Sequence, residues 1–125
     1  MIRFLLIAVG GSLGALARYG VAYWVQERVA GAFPYGTFIV NMTGCVIMGM
    51  VMTRLNEGAE VSVNWRYLVP VGFIGAYTTF SSFEFETFRL MEQGLPVIGL
   101  GYVLFSVILG YAALWLGVIA ARALL

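Results

Sequence analysis

The 125-residue chain contains no lysine, aspartate or histidine, and seven arginines and six glutamates carry all of its side-chain charge. Histidine and aspartate are common general bases and metal ligands, so their absence disfavours hydrolases and metalloenzymes. The single cysteine, Cys45, cannot form a disulfide within the chain. A net charge of +1 also lacks the dense basic face that nucleic-acid binding needs. We therefore predict neither an enzyme nor a nucleic-acid-binding protein.

Apolar residues dominate what remains. They make up 62% of the chain, against 10% charged residues, where a soluble domain usually has about 25% charged residues. A membrane-crossing helix needs about 20 apolar residues, and four stretches qualify. They run over about residues 4–25, 35–53, 67–90 and 96–121. Because the connections are short, we predict one all-α, four-helix domain over residues 1–125 in the cell (inner) membrane, with the first stretch retained as a span.

The arginines give only a weak indication of orientation. With four crossings, one side of the membrane carries four of them and the other side carries two. The first group is Arg3, Arg54, Arg66 and Arg122, and the second is Arg28 and Arg89. Orientation normally follows a clear excess of positive charge on the cytoplasmic side. Two interpretations stay open: a single orientation with the N-terminus inside, or a protein that inserts both ways round.

The third stretch is predicted to be a broken helix. Residues 72–83 combine glycines, aromatic residues and four hydroxyl side chains, which makes a poor uninterrupted helix. We expect a helix to about residue 74, an unwound turn at 75–79 and a second helix to about residue 90. The second helix would begin with a capping box formed by Ser81 and Glu84. Alternatively, the hydroxyls bond to their own helix and nothing is unwound.

The same segment carries a family resemblance. Its sequence, Gly-Phe-Ile-Gly-Ala-Tyr-Thr-Thr-Phe-Ser-Ser-Phe, resembles the signature Gly-Phe-x-Gly-Gly-x-Thr-Thr-Phe-Ser-Thr-Phe of Fluc/CrcB fluoride channels. Residues 11–19 and 36–44 fit the family too, so the resemblance covers essentially the whole chain. Ala76 and Ser82 are the departures from the signature, and serine keeps the hydroxyl of the usual threonine.

Fluoride is a strongly hydrated hydrogen-bond acceptor, and a protein that conducts it must replace its water with donors that do not hold it too tightly. Neutral amide and hydroxyl donors meet that need. The candidate donors are Thr37, Asn41, Thr79, Ser81, Ser82, Tyr102 and Ser106. The alternative is that these side chains form hydrogen bonds between helices and contact no ion.

Two aromatic and two charged residues complete the candidate pathway. Phe80 and Phe83 are three residues apart on one helical face, and the positive edges of their rings are able to face an anion. The resemblance implies that both line a pore, although phenylalanine more often faces lipid or core. Arg18, inside the first span, is a candidate vestibule cation, or it reaches to the membrane surface. Glu86 is expected to orient the hydroxyls of Thr79 or Ser82, or to be an interfacial carboxylate.

The resemblance also implies an assembly and a mode of transport. Members of the family are antiparallel, dual-topology homodimers that contain two pores and export cytoplasmic fluoride passively. A structural sodium ion at the dimer interface would be bound by backbone carbonyls, here those of Gly75 and Thr78. Two other functions are weighed: a small proton-coupled exporter and a non-conducting assembly subunit. The exporter would need an acidic residue in the first span, and residues 4–25 contain none.

Overall fold

The computed structural model describes residues 1–58 and 61–124, and the regular structure in those residues is helical throughout. Five helices follow one another along the chain. They are α1 (Ile2–Arg28), α2 (Tyr35–Glu57), the composite α3 (Asn64–Arg66, Tyr67–Ile74 and Gly75–Tyr77), α4 (Phe80–Glu92) and α5 (Pro96–Ala123). The prediction of an all-helical protein is confirmed.

Three of these helices are long and apolar enough to cross a membrane. They are α1, α2 and α5, with mean hydropathies of 1.6, 1.6 and 2.3. They coincide with the predicted stretches 4–25, 35–53 and 96–121 and extend each by a few residues. The helices α3 and α4 occupy the stretch predicted at 67–90. The chain is thus a multi-pass membrane protein in which one of the four predicted crossings is made of two shorter helices.

The middle segment of α3, Tyr67–Ile74, is a π-helix with Pro70 inside it. Proline has no backbone N–H, and its ring clashes with the preceding turn of a regular α-helix. A π turn is wider and bonds to the fifth residue back, so it gives the ring room and is often found near functional sites. The sequence pattern predicted an ordinary helix here and did not indicate this π segment.

The break between α3 and α4 is confirmed, but it is shorter than predicted. Only Thr78 and Thr79 are extended, with ψ angles of 155° and 117°, and the helix continues through Tyr77. The expected end at residue 74 was wrong because the backbone N–H and the hydroxyl of Thr78 both donate to the Ile74 carbonyl at 3.0 Å. Ala76 lies inside this last helical turn, where a Cβ is readily accommodated.

The residue that caps α4 also differs from the prediction. Thr79, not Ser81, is the N-cap, and its hydroxyl oxygen accepts a hydrogen bond from the backbone N–H of Ser82 at 3.3 Å. Threonine is a good N-cap because its oxygen satisfies one of the free N–H groups of the first turn. Glu84 is therefore two residues beyond the position at which it would complete a capping box, and it is exposed.

Glycines allow two pairs of helices to approach closely. A Cβ added at Gly10 or Gly14 of α1 would lie 2.1 Å from a backbone oxygen of α3. Similarly, a Cβ at Gly49 of α2 would lie 2.2 Å from the Leu114 carbonyl of α5, and one at Gly117 would lie 2.1 Å from the Val46 carbonyl. Side chains there would force the backbones apart. The glycines thus hold α1 against α3 and α2 against α5.

Candidate functional site

Asn41 holds the broken backbone with both ends of its side-chain amide. Its Oδ1 accepts a hydrogen bond from the backbone N–H of Thr79 at 2.9 Å, and its Nδ2 donates to the Thr79 carbonyl at 3.1 Å. Extended backbone inside a membrane leaves polar groups that no water can satisfy, so protein groups must take water's place. Asn41, on α2, supplies that replacement at the break.

The hydroxyls predicted around the break are linked to one another. The Thr79 hydroxyl donates to the Ser82 hydroxyl oxygen at 3.1 Å, and the hydroxyls of Thr79 and Ser81 are 3.5 Å apart. Thr79 is buried, Ser82 is half-buried and Ser81 is exposed. Because Ser82 accepts from Thr79, its own hydroxyl hydrogen stays available to another acceptor. The short chain of hydroxyls therefore leads from the buried break toward the surface of the protein.

Glu86 accepts two hydrogen bonds from hydroxyl groups, although not from the two predicted. The Thr37 hydroxyl donates to its Oε1 at 2.6 Å and the Tyr102 hydroxyl donates to its Oε2 at 2.8 Å. The expected partners, Thr79 and Ser82, bond to each other instead. The expectation was wrong because helical spacing along α4 does not reveal which residues of α2 and α5 pack against Glu86. The carboxylate thus joins three helices.

Three aromatic rings, those of Phe80, Phe83 and Tyr102, pack in a row. The rings of Phe80 and Phe83 are 5.7 Å apart between centroids, and those of Phe83 and Tyr102 are 4.9 Å apart with an edge-to-face tilt of 73°. Phe80 is 73% exposed, whereas Phe83 is only 5% exposed and Tyr102 is fully buried. The two phenylalanines share a helical face as predicted. However, the ring of Phe80 lies on the surface and the ring of Phe83 lies in the core.

A polar groove of about 480 Å³ brings together several predicted residues. Arg18, half-buried on α1, lines it. The other predicted residues in its wall are Thr37, Thr79, Ser82 and Glu86. Tyr19 and Tyr23 line it as well, so the groove combines one guanidinium group, one carboxylate and five hydroxyls along the helices α1, α2 and α4. The role of Arg18 as a vestibule cation stays a prediction, but its guanidinium shares a cavity with the hydroxyls it would serve.

Several residues of this groove were not predicted from the sequence, and Gln26 is the most informative of them. Gln26 lines it, and the Oε1 of Gln26 accepts a hydrogen bond from the backbone N–H of Gly36 at 3.3 Å, at the start of α2. A signal was present: Arg18, Ala22 and Gln26 are spaced four residues apart, which places them on one face of α1. A polar residue in line with an intramembrane arginine was thus recognisable as a candidate.

A second groove, of about 270 Å³, lies on the surface beside the break. Asn41, Thr79 and Phe80 line it, together with apolar residues such as Met48 and Leu114. Gly44 lines it as well, and a Cβ there would lie 2.2 Å from Cγ2 of Thr78. This glycine is what allows the break to lie against α2. The groove is mostly apolar, with the amide and hydroxyl groups at its base.

The backbone carbonyls proposed to bind a cation lie at the same place. In an unbroken helix the backbone N–H of Thr79 would donate to the Gly75 carbonyl, but here it donates to Asn41. The Gly75 oxygen is thus released from its usual helical partner, and Gly75 is exposed on the protein surface. Neutral carbonyl oxygens at Gly75 and Thr78 are the ligand type that a hard monovalent cation accepts. The residues fit such an ion.

Ser106 and Tyr102 lie one helical turn apart on α5. Tyr102 is fully buried and bonded to Glu86, whereas Ser106 is half-buried. Small residues continue the same helical face: Gly110, Ala113 and Gly117 are all buried. These residues therefore form one face of α5, and its far end packs closely on α2. A contact between Ser106 and an ion stays a prediction.

Comparison with known proteins agrees with this architecture. Residues 5–118 match the family model described as CrcB-like protein, Camphor Resistance (CrcB). The chain is similar to proteins named fluoride-specific ion channel FluC in several bacteria. The relative from Acidobacterium capsulatum is 47% identical over 96% of each chain, and that from Solibacter usitatus is 49% identical over 96% of this chain and 98% of its own. The relative from Geotalea uraniireducens is 48% identical over 96% and 97%.

The family model and the alignments with these relatives extend over nearly the whole chain, including the break and the groove. The resemblance noted in residues 72–83 is therefore part of a similarity that reaches from α1 to α5. The chain belongs to the CrcB family of membrane proteins.

Proposed function

We propose that this chain is the subunit of a fluoride-selective channel that lets cytoplasmic fluoride leave the cell passively. The observation that carries the proposal is the extended break at Thr78–Thr79, where Asn41, a chain of hydroxyls and the exposed ring of Phe80 meet at one groove. Relatives nearly half identical to this chain are named fluoride-specific channels.

The donors suit an anion that has to be held weakly. Fluoride gives up its hydration only for a comparable set of hydrogen bonds. The Ser82 hydroxyl and the second N–H of the Asn41 amide each keep a hydrogen that can be donated to an anion. The hydroxyls of Thr37 and Tyr102 donate to Glu86 and would have to turn away from it to donate to fluoride. Neutral donors in series allow an ion to move from one to the next, because no single site binds it strongly.

The working unit is an antiparallel homodimer with two pores, to which both subunits contribute. Phe80 is 73% exposed in a single subunit, next to the apolar groove that contains Asn41. A second subunit related by a two-fold axis in the membrane plane would cover this groove and enclose the ring. The near balance of arginines between the two ends of the bundle suits insertion in both orientations.

The carbonyls of Gly75 and Thr78, from both copies, would hold a structural sodium ion at the centre of this dimer. Support for this cation site comes from the Gly75 carbonyl, since the Thr79 N–H that would bond to it in a regular helix donates to Asn41. A cation there supplies positive charge at the midplane and is not transported. Size exclusion in sodium and in N-methyl-D-glucamine tests this ion: the dimer fraction should fall when sodium is replaced, and an equal dimer fraction in both would contradict the site.

The test is ion release from liposomes that contain the purified dimer, followed by fluoride and chloride electrodes in parallel. We expect rapid fluoride release, negligible chloride release, and loss of the fluoride signal in Phe80→Ile and Asn41→Asp. Phe85→Ile is the matched control, since Phe85 is exposed on the same helix and lines none of the described grooves. That variant should conduct like the parent.

Three other outcomes would favour an alternative function or contradict the proposed path. Fluoride release that follows an imposed pH gradient, and stops without one, would indicate a proton-coupled exporter. No fluoride release from vesicles with verified dimers would refute the channel and favour an assembly subunit. Equal losses in Phe80→Ile and Phe85→Ile would contradict the proposed location of the path.

A further inference from the structure

A small cavity of about 160 Å³ lies at the end of the bundle where α4 ends. Its walls come from the last two turns of α4 and from the connection between α1 and α2. The polar residues that line it are Glu86, Arg89 and Gln93. None of the candidate sites derived above includes Arg89 or Gln93.

Glu86 lines this end cavity and the groove that contains Arg18. Its carboxylate is thus the wall between the interior groove and the cavity at the end of the bundle. Both oxygens of the carboxylate face hydroxyl donors, those of Thr37 and Tyr102. An anion moving from the groove to the end of the bundle along α4 passes this carboxylate and then Arg89, one turn further on.

A carboxylate in the wall of an anion path raises an electrostatic difficulty, because its charge repels fluoride. Arg89 carries the opposite charge three residues later and faces the same cavity. Within residues 1–58 and 61–124 the only ion pair joins Arg122 to Glu57, at the opposite end of the bundle. In this part of the chain no carboxylate forms an ion pair with the guanidinium of Arg89, so its charge acts on the cavity.

We propose that Arg89 forms the outer mouth of the fluoride path, where it offsets the charge of Glu86 and concentrates small anions at the end cavity. This inference rests on the proposed channel function. The side-chain amide of Gln93 adds a neutral donor at the same mouth. The mechanism is electrostatic attraction into a cleft with low-dielectric walls, which raises the rate of entry without a tight binding site.

The experiment compares fluoride release by Arg89→Gln, Arg89→Lys and Arg28→Gln in the liposome assay. Arg28 is the control because it lies at the same end of the bundle but outside the cavity. Its guanidinium lies 4.2 Å from the centroid of the Trp24 ring and donates to the Trp24 carbonyl. Ionic strength is set with potassium gluconate at about 0.1 M and about 1 M, where the Debye lengths are about 10 Å and about 3 Å.

At about 0.1 M we expect Arg89→Gln to release fluoride roughly three- to tenfold more slowly than the parent, as loss of local steering predicts. Arg89→Lys, which keeps the charge, and Arg28→Gln should stay within about twofold of the parent. At about 1 M the deficit of Arg89→Gln should largely disappear, because salt screens the missing charge.

Several results would overturn the inference while leaving the channel intact. These are a parental rate for Arg89→Gln, an equal loss in Arg28→Gln, or a deficit in Arg89→Gln that persists unchanged at about 1 M salt. The last result would indicate a structural role. If the parent itself releases no fluoride, the proposed function fails first and the inference falls with it. Size exclusion of each variant verifies that dimers were compared.

Discussion

Replacing Asn41 tests the way the break between α3 and α4 is held. Asn41→Leu removes both hydrogen bonds to Thr79, the one from its N–H at 2.9 Å and the one to its carbonyl at 3.1 Å. Asn41→Asp keeps an acceptor for the Thr79 N–H but places a second oxygen against the Thr79 carbonyl. The two variants therefore separate loss of one bond from loss of both.

The magnitude follows from the burial of Thr79. Each hydrogen bond contributes about 1 kcal/mol, and a buried backbone group left without a partner costs about 1–3 kcal/mol more. Thr79 is buried inside a membrane-crossing segment, where no water replaces the lost amide. The cost of opening at the break should therefore fall by at least about 2 kcal/mol in Asn41→Leu, which is roughly a 30-fold change in the opening equilibrium.

Hydrogen exchange of the purified dimer, read by mass spectrometry on peptides covering residues 75–83, measures this opening. We expect the Thr79 amide to exchange at least about 30-fold faster in Asn41→Leu than in the parent, with Asn41→Asp between them. Ser12→Ala is the control, since the Ser12 hydroxyl donates only within α1, to the Ala8 carbonyl at 2.8 Å. Unchanged protection of Thr79 in Asn41→Leu would refute the role assigned to Asn41.

Two further substitutions test the packing of the break and the bonding of the carboxylate. Gly44→Ala should destabilise the protein by about 1–3 kcal/mol, because the new Cβ would lie 2.2 Å from Cγ2 of Thr78. Gly20→Ala has open space around it and should be neutral or slightly stabilising, so equal melting temperatures for the two variants would contradict the close approach. Tyr102→Phe keeps the ring but removes the 2.8 Å hydrogen bond to Glu86, so it should lower stability by about 1.5–3 kcal/mol and slow fluoride release. An unchanged melting temperature in that variant would show that the bond contributes nothing.

The helices and their membrane setting were predictable from the sequence. The stretches 4–25, 35–53 and 96–121 were recognised within a few residues of the observed helix ends, because transfer of a side chain into lipid depends on the residue itself and adds along the chain. The break in the third stretch was predicted for a related reason. Glycines and clustered hydroxyls are local features that weaken a helix wherever they occur.

The exact position of the break was decided by individual hydrogen bonds that composition does not reveal. The unwound turn was expected from residue 75, but the carbonyl of Ile74 accepts two hydrogen bonds from Thr78 and keeps the helix intact through Tyr77. The π segment around Pro70 was not predictable from the sequence either, because a proline within a helix is accommodated by an α kink or by a π turn. Which of them forms depends on how α3 packs against α1.

The composition and hydropathy of this sequence, by themselves, determine a helical membrane protein with a weak point in its third crossing. Only the tertiary structure decided the partners at that point. Asn41 meets Thr79 across 38 positions of sequence, and Thr37 meets Glu86 across 49. The types of these residues predicted that each would need a hydrogen-bond partner. Their actual partners followed from glycine contacts that bring separate helices together, and periodicity within one helix carries no information about its neighbours.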